Sequence, residues 1–451
     1  MRAARVLFVA ASLLVCSAQA ADPSAGILGK DGWLYFRYEN ADAAAAPDIA
    51  RSVRLIGRIS RVLARNDVTL VMALIPVKMR VYAEHLPGDF KLTPYMSGQY
   101  DQIAKALDAE GVPVIDIGKA FASNPKTDGT PPLFFRLDSH WTPTGAMAAA
   151  EAIRSGLQSD PALKRAFDAT PEEKYSIRWD EKPGISLFND LVPQLPPGTP
   201  AQPPESYMGL AAVREKALAA SLIGDEITPA ITLMGSSYSA DWTTFPAALR
   251  YALQRDVLSH SIPANQGSWV GFESYLRDES FQLHRPKIIV WEMPERDMRA
   301  PPAHKYREAR YSMDDNEWLL RAAAWIESAC APASASVKSL GGALGATAAP
   351  AKEGEFVEVA FDRPLDRLEY VSARLLSYGA TRVRLEPSGP GAPAKPTTVI
   401  VPGDDEPHAF RTPLYSSSGK GFDKVRFYPG IARQFAIQDV RVCRQSENLL
   451  K

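Results

Sequence analysis

Cysteine is nearly missing from this chain, with three in 451 residues, too few to knit the small cysteine-dense scaffolds of secreted mini-domains. Histidine is scarce as well, at six. No H-E-x-x-H occurs and no histidine stands at metal-ligand spacing, so neither a metal site nor a cofactor is expected. Neither sign of charge is in excess, since 51 Lys and Arg face 52 Asp and Glu. That balance excludes the basic surplus of nucleic-acid binders. No apolar run reaches the roughly 20 residues that a membrane-spanning helix needs.

What the sequence does contain begins with a leader. Arg2 and Arg5 precede the apolar run Val6 to Cys16, and Ala18-Gln19-Ala20 follows, the order of a cleavable signal peptide over residues 1–20. Val15 is too large for the residue before a lipidated cysteine, which argues against an anchor at Cys16. A periplasmic protein is expected. Its two remaining cysteines, Cys330 and Cys443, are expected to pair in an oxidising compartment; two unrelated buried thiols are the alternative. Closing a loop of that length stabilises by about 4–5 kcal/mol on chain-entropy reasoning.

The chain is long enough for two cores. The Ala/Ser/Gly/Pro-rich stretch over residues 331–352 reads as a linker between a domain at 21–330 and a second unit at 353–451. In the first, helical periodicity at Ile49–Arg65 leads into the continuous apolar run Thr69–Ile75. Strand-like runs recur at Val112–Ile117, Ala230–Met234 and Lys287–Glu292, with helical segments between them. Such alternation specifies an α/β domain with a mainly parallel sheet and helices on both faces. The second unit holds short alternating runs, among them Phe356–Phe361, Arg382–Leu385, Lys424–Tyr428 and Phe435–Val442. These predict a β-sandwich.

Three places carry chemistry. Asp138-Ser-His140 precedes Thr142-Pro143, an N-cap with proline at the first helical position, so both side chains are expected on an extended segment leading into a helix, where residues two apart point the same way. A carboxylate beside an imidazole fixes its tautomer for base catalysis at a serine. Gly235-Ser-Ser-Tyr-Ser239 follows a strand and precedes a helix, where a hydroxyl is presented at the carboxyl edge of the sheet. It is not the G-x-S-x-G elbow, because residue 239 is serine. Asn265-Gln266-Gly267 is a polar turn able to offer an amide to an oxyanion or a substrate. Read alone, each of the three is an ordinary loop; the joint occurrence of the first two, at loop positions where sheets of this class place ligands, points to a serine nucleophile.

With Gly29-Lys-Asp-Gly-Trp-Leu-Tyr35 and Trp291-Glu-Met-Pro-Glu-Arg296, these stretches resemble the alginate O-acetylase family. Its catalytic domain is a permuted SGNH hydrolase-like fold, and one branch carries a C-terminal carbohydrate-binding module. The resemblance implies Ser237 as nucleophile, His140 as its base and Asp138 as the orienting carboxylate, with Tyr238, Asn265, Gln266 and Arg296 as oxyanion or substrate candidates. It departs from relatives that carry Arg where this chain has Gln266. It further implies acetyl transfer through an acetyl-serine onto an exopolysaccharide such as alginate, an acetyl donor at the membrane, and export proteins as partners. A polysaccharide acetylesterase and a non-catalytic polymer-binding scaffold remain open as alternatives. Residues 352–451 carry 15 basic against 13 acidic side chains, the more basic part of the chain. Arg374, Arg382, Arg384 and Lys420 are therefore candidates for holding an anionic polymer.

Overall fold

The computed structural model describes residues 25–124, 130–215, 228–262, 267–304, 313–327, 329–333, 335–340, 354–379, 381–389, 396–404, 406–412, 421–430 and 434–450. The leader, Asn265, Gln266 and Lys420 lie outside the described residues. Among those described, no helix is long and apolar enough to cross a membrane.

The sheet of the first domain has five strands among the described residues: β1 (Thr69–Ile75), β2 (Val114–Ile115), β3 (Ile231–Gly235), β4 (Val257–Ser261) and β5 (Ile288–Pro294). All pairs are parallel, in the order β4-β3-β5-β1-β2. Because side chains alternate along a strand, the continuous apolar runs split between two cores. Val71, Ala73, Ile75, Leu233 and Val290 face one, while Leu70, Met72, Leu74, Met234, Ile289 and Trp291 face the other. The helices α1 (Ala46–Ala64), α2 (Pro94–Ala109), α3 (Pro143–Ser159), α4 (Phe245–Leu253), α5 (Ser268–Arg277) and α6 (Asp315–Ile326) cover them. Helices α3 and α4 pack on the first face through Ala146, Ile153 and Leu249, and α1, α5 and α6 on the second through Ile56, Phe272 and Trp318. Such a layering places loops at the carboxyl ends of the strands, where sheets of this class hold their ligands.

The C-terminal part is two antiparallel sheets face to face. Its strands are β6 (Cys330–Pro332), β7 (Ala335–Leu340), β8 (Phe356–Leu365), β9 (Glu369–Tyr378), β10 (Thr381–Ser388), β11 (Thr397–Val401), β12 (His408–Thr412), β13 (Phe422–Tyr428) and β14 (Gln434–Arg444). One sheet runs β6-β14-β9-β12 and the other β7-β8-β13-β10-β11. Leu375, Phe410 and Phe435 of the first meet Val359, Leu385 and Phe427 of the second in one core.

Two features depart from the sequence reading. Residues 330–332 and 335–340 are strands, not linker; both lie at sheet edges, where one partner suffices and small Ala and Ser residues are tolerated. Arg374 lies on β9, whereas Arg382 and Arg384 lie on β10 of the opposite sheet. Their neighbours Ala373, Leu375, Val383 and Leu385 all point into the shared core, so the arginines point outward from opposite faces and do not line one groove. Arg374 donates to the Pro407 carbonyl at 3.0 Å, and Arg384 pairs with Glu386 over the Tyr428 ring.

Cys330 and Cys443 are disulfide-bonded across 113 residues, joining the first strand of this unit to its last. The unit docks on α6: the Tyr370 hydroxyl donates to the Glu327 carbonyl at 2.6 Å, and the Gln445 amide donates to the Leu320 carbonyl at 2.5 Å.

Candidate active site

Strand β3 ends at Gly235, and the chain turns at once into a short 3-10 segment, Ser237–Ser239. A Cβ at position 235 would sit 2.1 Å from Ser239 Oγ and 2.6 Å from Glu292 Oε2. Glycine is required here for close approach rather than for a left-handed backbone, since its φ is not positive. The room it leaves is filled by Glu292, fully buried on the neighbouring β5. That carboxylate accepts the Ser236 N–H at 2.8 Å, the Ser236 hydroxyl at 3.0 Å and the Ser239 hydroxyl at 2.9 Å. Ser236 and Ser239 are wholly buried and committed to that acid. Ser237 alone of the three turns its hydroxyl outward.

Facing it is the loop before α3. Thr142 caps that helix, accepting the Gly145 N–H at 3.3 Å, with Pro143 as its first residue. The stretch from Arg136 to His140 is bent rather than extended. Asp138 Oδ1 accepts the backbone N–H of His140 at 2.9 Å, an Asx-type turn, and meets His140 Nδ1 at 2.5 Å. With the proton on Nδ1, Nε2 is free to accept from Ser237 Oγ, 2.8 Å away. Burial pushes the Asp138 carboxyl up, but the His140 hydrogen bond and charge and the N–H groups of Asp190 and His140 outweigh it, holding it at about 2. It stays ionised and can stabilise an imidazolium.

Three side chains that the sequence reading did not single out hold this loop by its backbone. Lys78, 1% exposed, donates to the carbonyls of Arg136 at 2.8 Å and Asp138 at 3.0 Å. Burial lowers its ammonium to about 8 against the pull of Glu39, Glu205, Asp190 and Asp138. Glu205 accepts the N–H groups of Arg136 and Leu137 at 2.7 and 2.8 Å. Asp190 accepts the Ser139 N–H at 2.7 Å and the Ser139 hydroxyl at 2.5 Å, and its own N–H donates to Asp138 Oδ2 at 2.8 Å. Glu292 does for the serine turn what these do for the histidine loop. Because buried backbone groups must be paired, such contacts fix the loop as well as satisfy it.

The two outlying motifs build this support. Trp33 and Tyr35 of the first lie against the Lys78 ammonium at 5.3 and 5.5 Å, within cation–π range. In the second, Glu292 holds the serine turn, Glu295 binds Arg80 at 3.2 Å, and Arg296 binds Glu39 at 2.8 Å. Tyr238 and Arg296, expected near the oxyanion or substrate, point inward instead. Tyr238 is 1% exposed and its hydroxyl donates to the Ser139 carbonyl; the Arg296 guanidinium lies over its ring at 5.7 Å. Both residues brace the site from below.

Asp138, His140 and Asp190 also lie close enough together to hold a cation. Both ring nitrogens of His140 are already engaged, by Asp138 and Ser237, which suits a proton relay better than a ligand set.

The role of Glu292 gives a first expected result. Glu292→Ala takes the acceptor away from the Ser236 N–H and the two hydroxyls, so the serine turn shifts and kcat/KM for acetyl esters falls on the order of 10²-fold, as displacements of about 1 Å do. Burial pushes this carboxyl up to about 7 against the hydrogen bonds of Ser236 and Ser239. Raised above its unfolded value, it favours the folded state at low pH and loses that contribution as pH climbs towards 7. Urea midpoints at pH 5 and pH 8 therefore differ less in the variant than in the wild type; an unchanged difference contradicts this.

Residues 27–295 match the family described as "SGNH hydrolase-like domain, acetyltransferase AlgX". The chain is 30% identical over 291 residues to the probable alginate O-acetylase AlgJ of Pseudomonas syringae pv. tomato, covering 62% of this chain and 69% of that one. The O-acetyltransferase domain of Pseudomonas putida AlgJ superposes with a TM-score of 0.51 at 25% identity, over 61% of this chain and 92% of that one. Pseudomonas aeruginosa AlgX shares the two-part fold, with a TM-score of 0.64 at 16% identity over 93% of this chain and 94% of that one.

Proposed function

Since the chain belongs to the AlgX family of SGNH hydrolase-like acetyltransferases, we propose that Ser237 carries the acetyl group from a donor to a hydroxyl of alginate or a similar exported uronate polymer. The observation that carries this reading is the geometry of one hydroxyl. Ser237 Oγ stands 2.8 Å from His140 Nε2, while both neighbouring serines are tied to Glu292.

In the first half-reaction His140 Nε2 takes the Ser237 proton as Oγ adds to the acetyl carbonyl. The tetrahedral adduct collapses to acetyl-Ser237, and the imidazolium returns its proton to the departing group. In the second, a sugar hydroxyl gives its proton to the same nitrogen and adds to the acetyl carbon. Ser237 leaves and is reprotonated. Asp138 stabilises the imidazolium in both halves. The Ser237 N–H meets no acceptor among the described residues and is offered to the developing oxyanion.

The leader-like start of the sequence supports a periplasmic setting, where acetyl donors of the cytoplasm do not reach. We assign delivery of the acetyl group to a membrane-associated partner, and polymer retention to the C-terminal β-sandwich. Catalysis is assigned to the α/β part, with the sandwich stapled through Cys330–Cys443.

The test is incubation with a chromogenic acetyl ester and mannuronate oligomers, read by mass spectrometry. Acetylated oligomer is the expected product. Acetate release with no acetylated sugar at any oligomer concentration overturns the transferase reading and leaves an esterase.

A further inference from the structure

Beside the triad stands an aromatic side chain that the chemistry above does not use. Trp242 is 42% exposed, so a large aromatic surface beside a reacting group is available to a ligand. Its ring meets His140 edge-on at 4.9 Å and stacks on Phe188 at 4.4 Å. Phe188 is backed in turn by Phe135 at 5.7 Å and Tyr207 at 6.4 Å. The indole is thus backed by Phe188 and partly open to solvent.

It is also held still. Trp242 sits in the short 3-10 segment Asp241–Thr243, and the Thr243 hydroxyl is 2.7 Å from the carbonyls of both Tyr238 and Ala240. The segment is thereby clamped to the serine turn itself. It ends at Thr244, whose φ of 62° is a left-handed conformation that costs a non-glycine residue roughly 1–2 kcal/mol. Backbone strain beside a reacting group, kept in place by surrounding hydrogen bonds, is a mark of a position that function requires.

We propose that the open face of Trp242 is the platform on which a pyranose ring of the acceptor stacks. This rests on the transferase reading and names where its acceptor binds. The C–H face of a pyranose is apolar and matches an indole, and carbon-to-carbon contact is best at about 3.5–4.0 Å. A ring so placed has its equatorial hydroxyls at the rim of the indole, on the side where His140 lies. The nitrogen that must take the acceptor proton is therefore within reach of the stacked sugar. The acetyl group on Ser237 is held by the same turn that anchors Trp242, so acceptor and acyl group are positioned by one rigid piece of chain. A small ester donor needs only Ser237 and His140.

Acetyl transfer from p-nitrophenyl acetate to a mannuronate oligomer, measured for the wild type, Trp242→Ala and Trp242→Phe, tests the platform. The acceptor KM is expected to rise about tenfold in Trp242→Ala, the equivalent of one good aromatic stack, and to recover partly in Trp242→Phe, while the donor KM moves much less. Equal rises in both KM values, or an unchanged acceptor KM, overturn the proposal. A wild type that acetylates no oligomer fails the transferase reading separately. The platform is then read by calorimetric titration of the oligomer against Ser237→Ala and Ser237→Ala/Trp242→Ala: equal affinity, or none for either protein, overturns it.

Discussion

Alanine at position 237 lowers acetyl-ester turnover by about 10⁵–10⁶-fold, as removal of the nucleophile does when nucleophile, base and carboxylate act as a unit. The structural cost is small, because the Ser237 side chain is partly open and its hydroxyl bonds His140 alone among the described residues. Ser236, Ser239 and Glu292 keep their mutual hydrogen bonds. Folding stability should stay within about 0.5 kcal/mol of the wild type, and oligomer binding should persist. The same substitution at Ser236 behaves differently. It strips a buried hydroxyl from Glu292, and its effect is on stability and on placement of the turn. Steady-state kinetics beside urea unfolding separates the two; substantial turnover in Ser237→Ala would remove the catalytic assignment.

The second large effect is expected of Asp138→Asn. Asp138 Oδ1 serves both His140 Nδ1 and the His140 backbone N–H, and Oδ2 accepts from Asp190. An amide has one acceptor oxygen, so its NH2 must oppose either the Asp190 N–H or the ring nitrogen. In the latter arrangement Nδ1 becomes an acceptor and the proton moves to Nε2, which can no longer take one from Ser237. A fall in kcat of about 10⁴-fold follows. The carboxyl held at about 2 contributes stability that is present above its unfolded value near 4 and disappears as pH falls towards 2. The variant should therefore lose less stability than the wild type on acidification through that window. A variant that keeps kcat within tenfold would show that His140 is oriented by something else, with Asp190 the first candidate, its carboxylate being 3.8 Å from Nδ1.

What the sequence made legible was local. Thr142-Pro143 marks a helix start by capping chemistry, and an apolar strand followed by Gly235-Ser-Ser marks a turn at the sheet edge, so Asp138, His140 and Ser237 stand at recognisable punctuation. Strand runs such as Thr69–Ile75 and Ile288–Pro294 are readable because burial on both faces demands unbroken apolar sequence. The supports are not local. Lys78 acts on Asp138 across 60 residues and Glu205 on Leu137 across 68, and nothing near them in the chain announces a partner. Glu292 did leave a signal: an acid inside the two-sided apolar run Ile-Ile-Val-Trp-Glu-Met-Pro must be buried, and buried acids have partners. Trp242 reads as a helix-start aromatic, and only its open face distinguishes it. The edge strands β6 and β7 read as linker because their Ala, Ser and Pro content is that of a loop. Ala335-Ser-Val-Lys338 in fact alternates, and β7 pairs with β8 from Ala335 to Leu340.

The supports also explain why this site tolerates a lysine in its core. The carbonyls of Arg136 and Asp138 point at the Lys78 ammonium, and four acids surround it. An apolar replacement would leave the Asp138 carbonyl without its donor, at a cost of about 1–3 kcal/mol, while the Arg136 carbonyl would keep the Leu34 N–H at 2.8 Å.

The central claim is that acetyl passes through Ser237. Intact-protein and peptide mass spectrometry, after rapid acid quench of the wild type with p-nitrophenyl acetate and no acceptor, reads it directly. The expected result is one added acetyl group, located on the peptide containing Gly235-Ser-Ser-Tyr-Ser239 and assigned to Ser237 by fragmentation, absent in Ser237→Ala and discharged when mannuronate oligomer is added. An acetyl group on another residue that oligomer discharges at the turnover rate, or full turnover by a protein lacking the Ser237 hydroxyl, would contradict it.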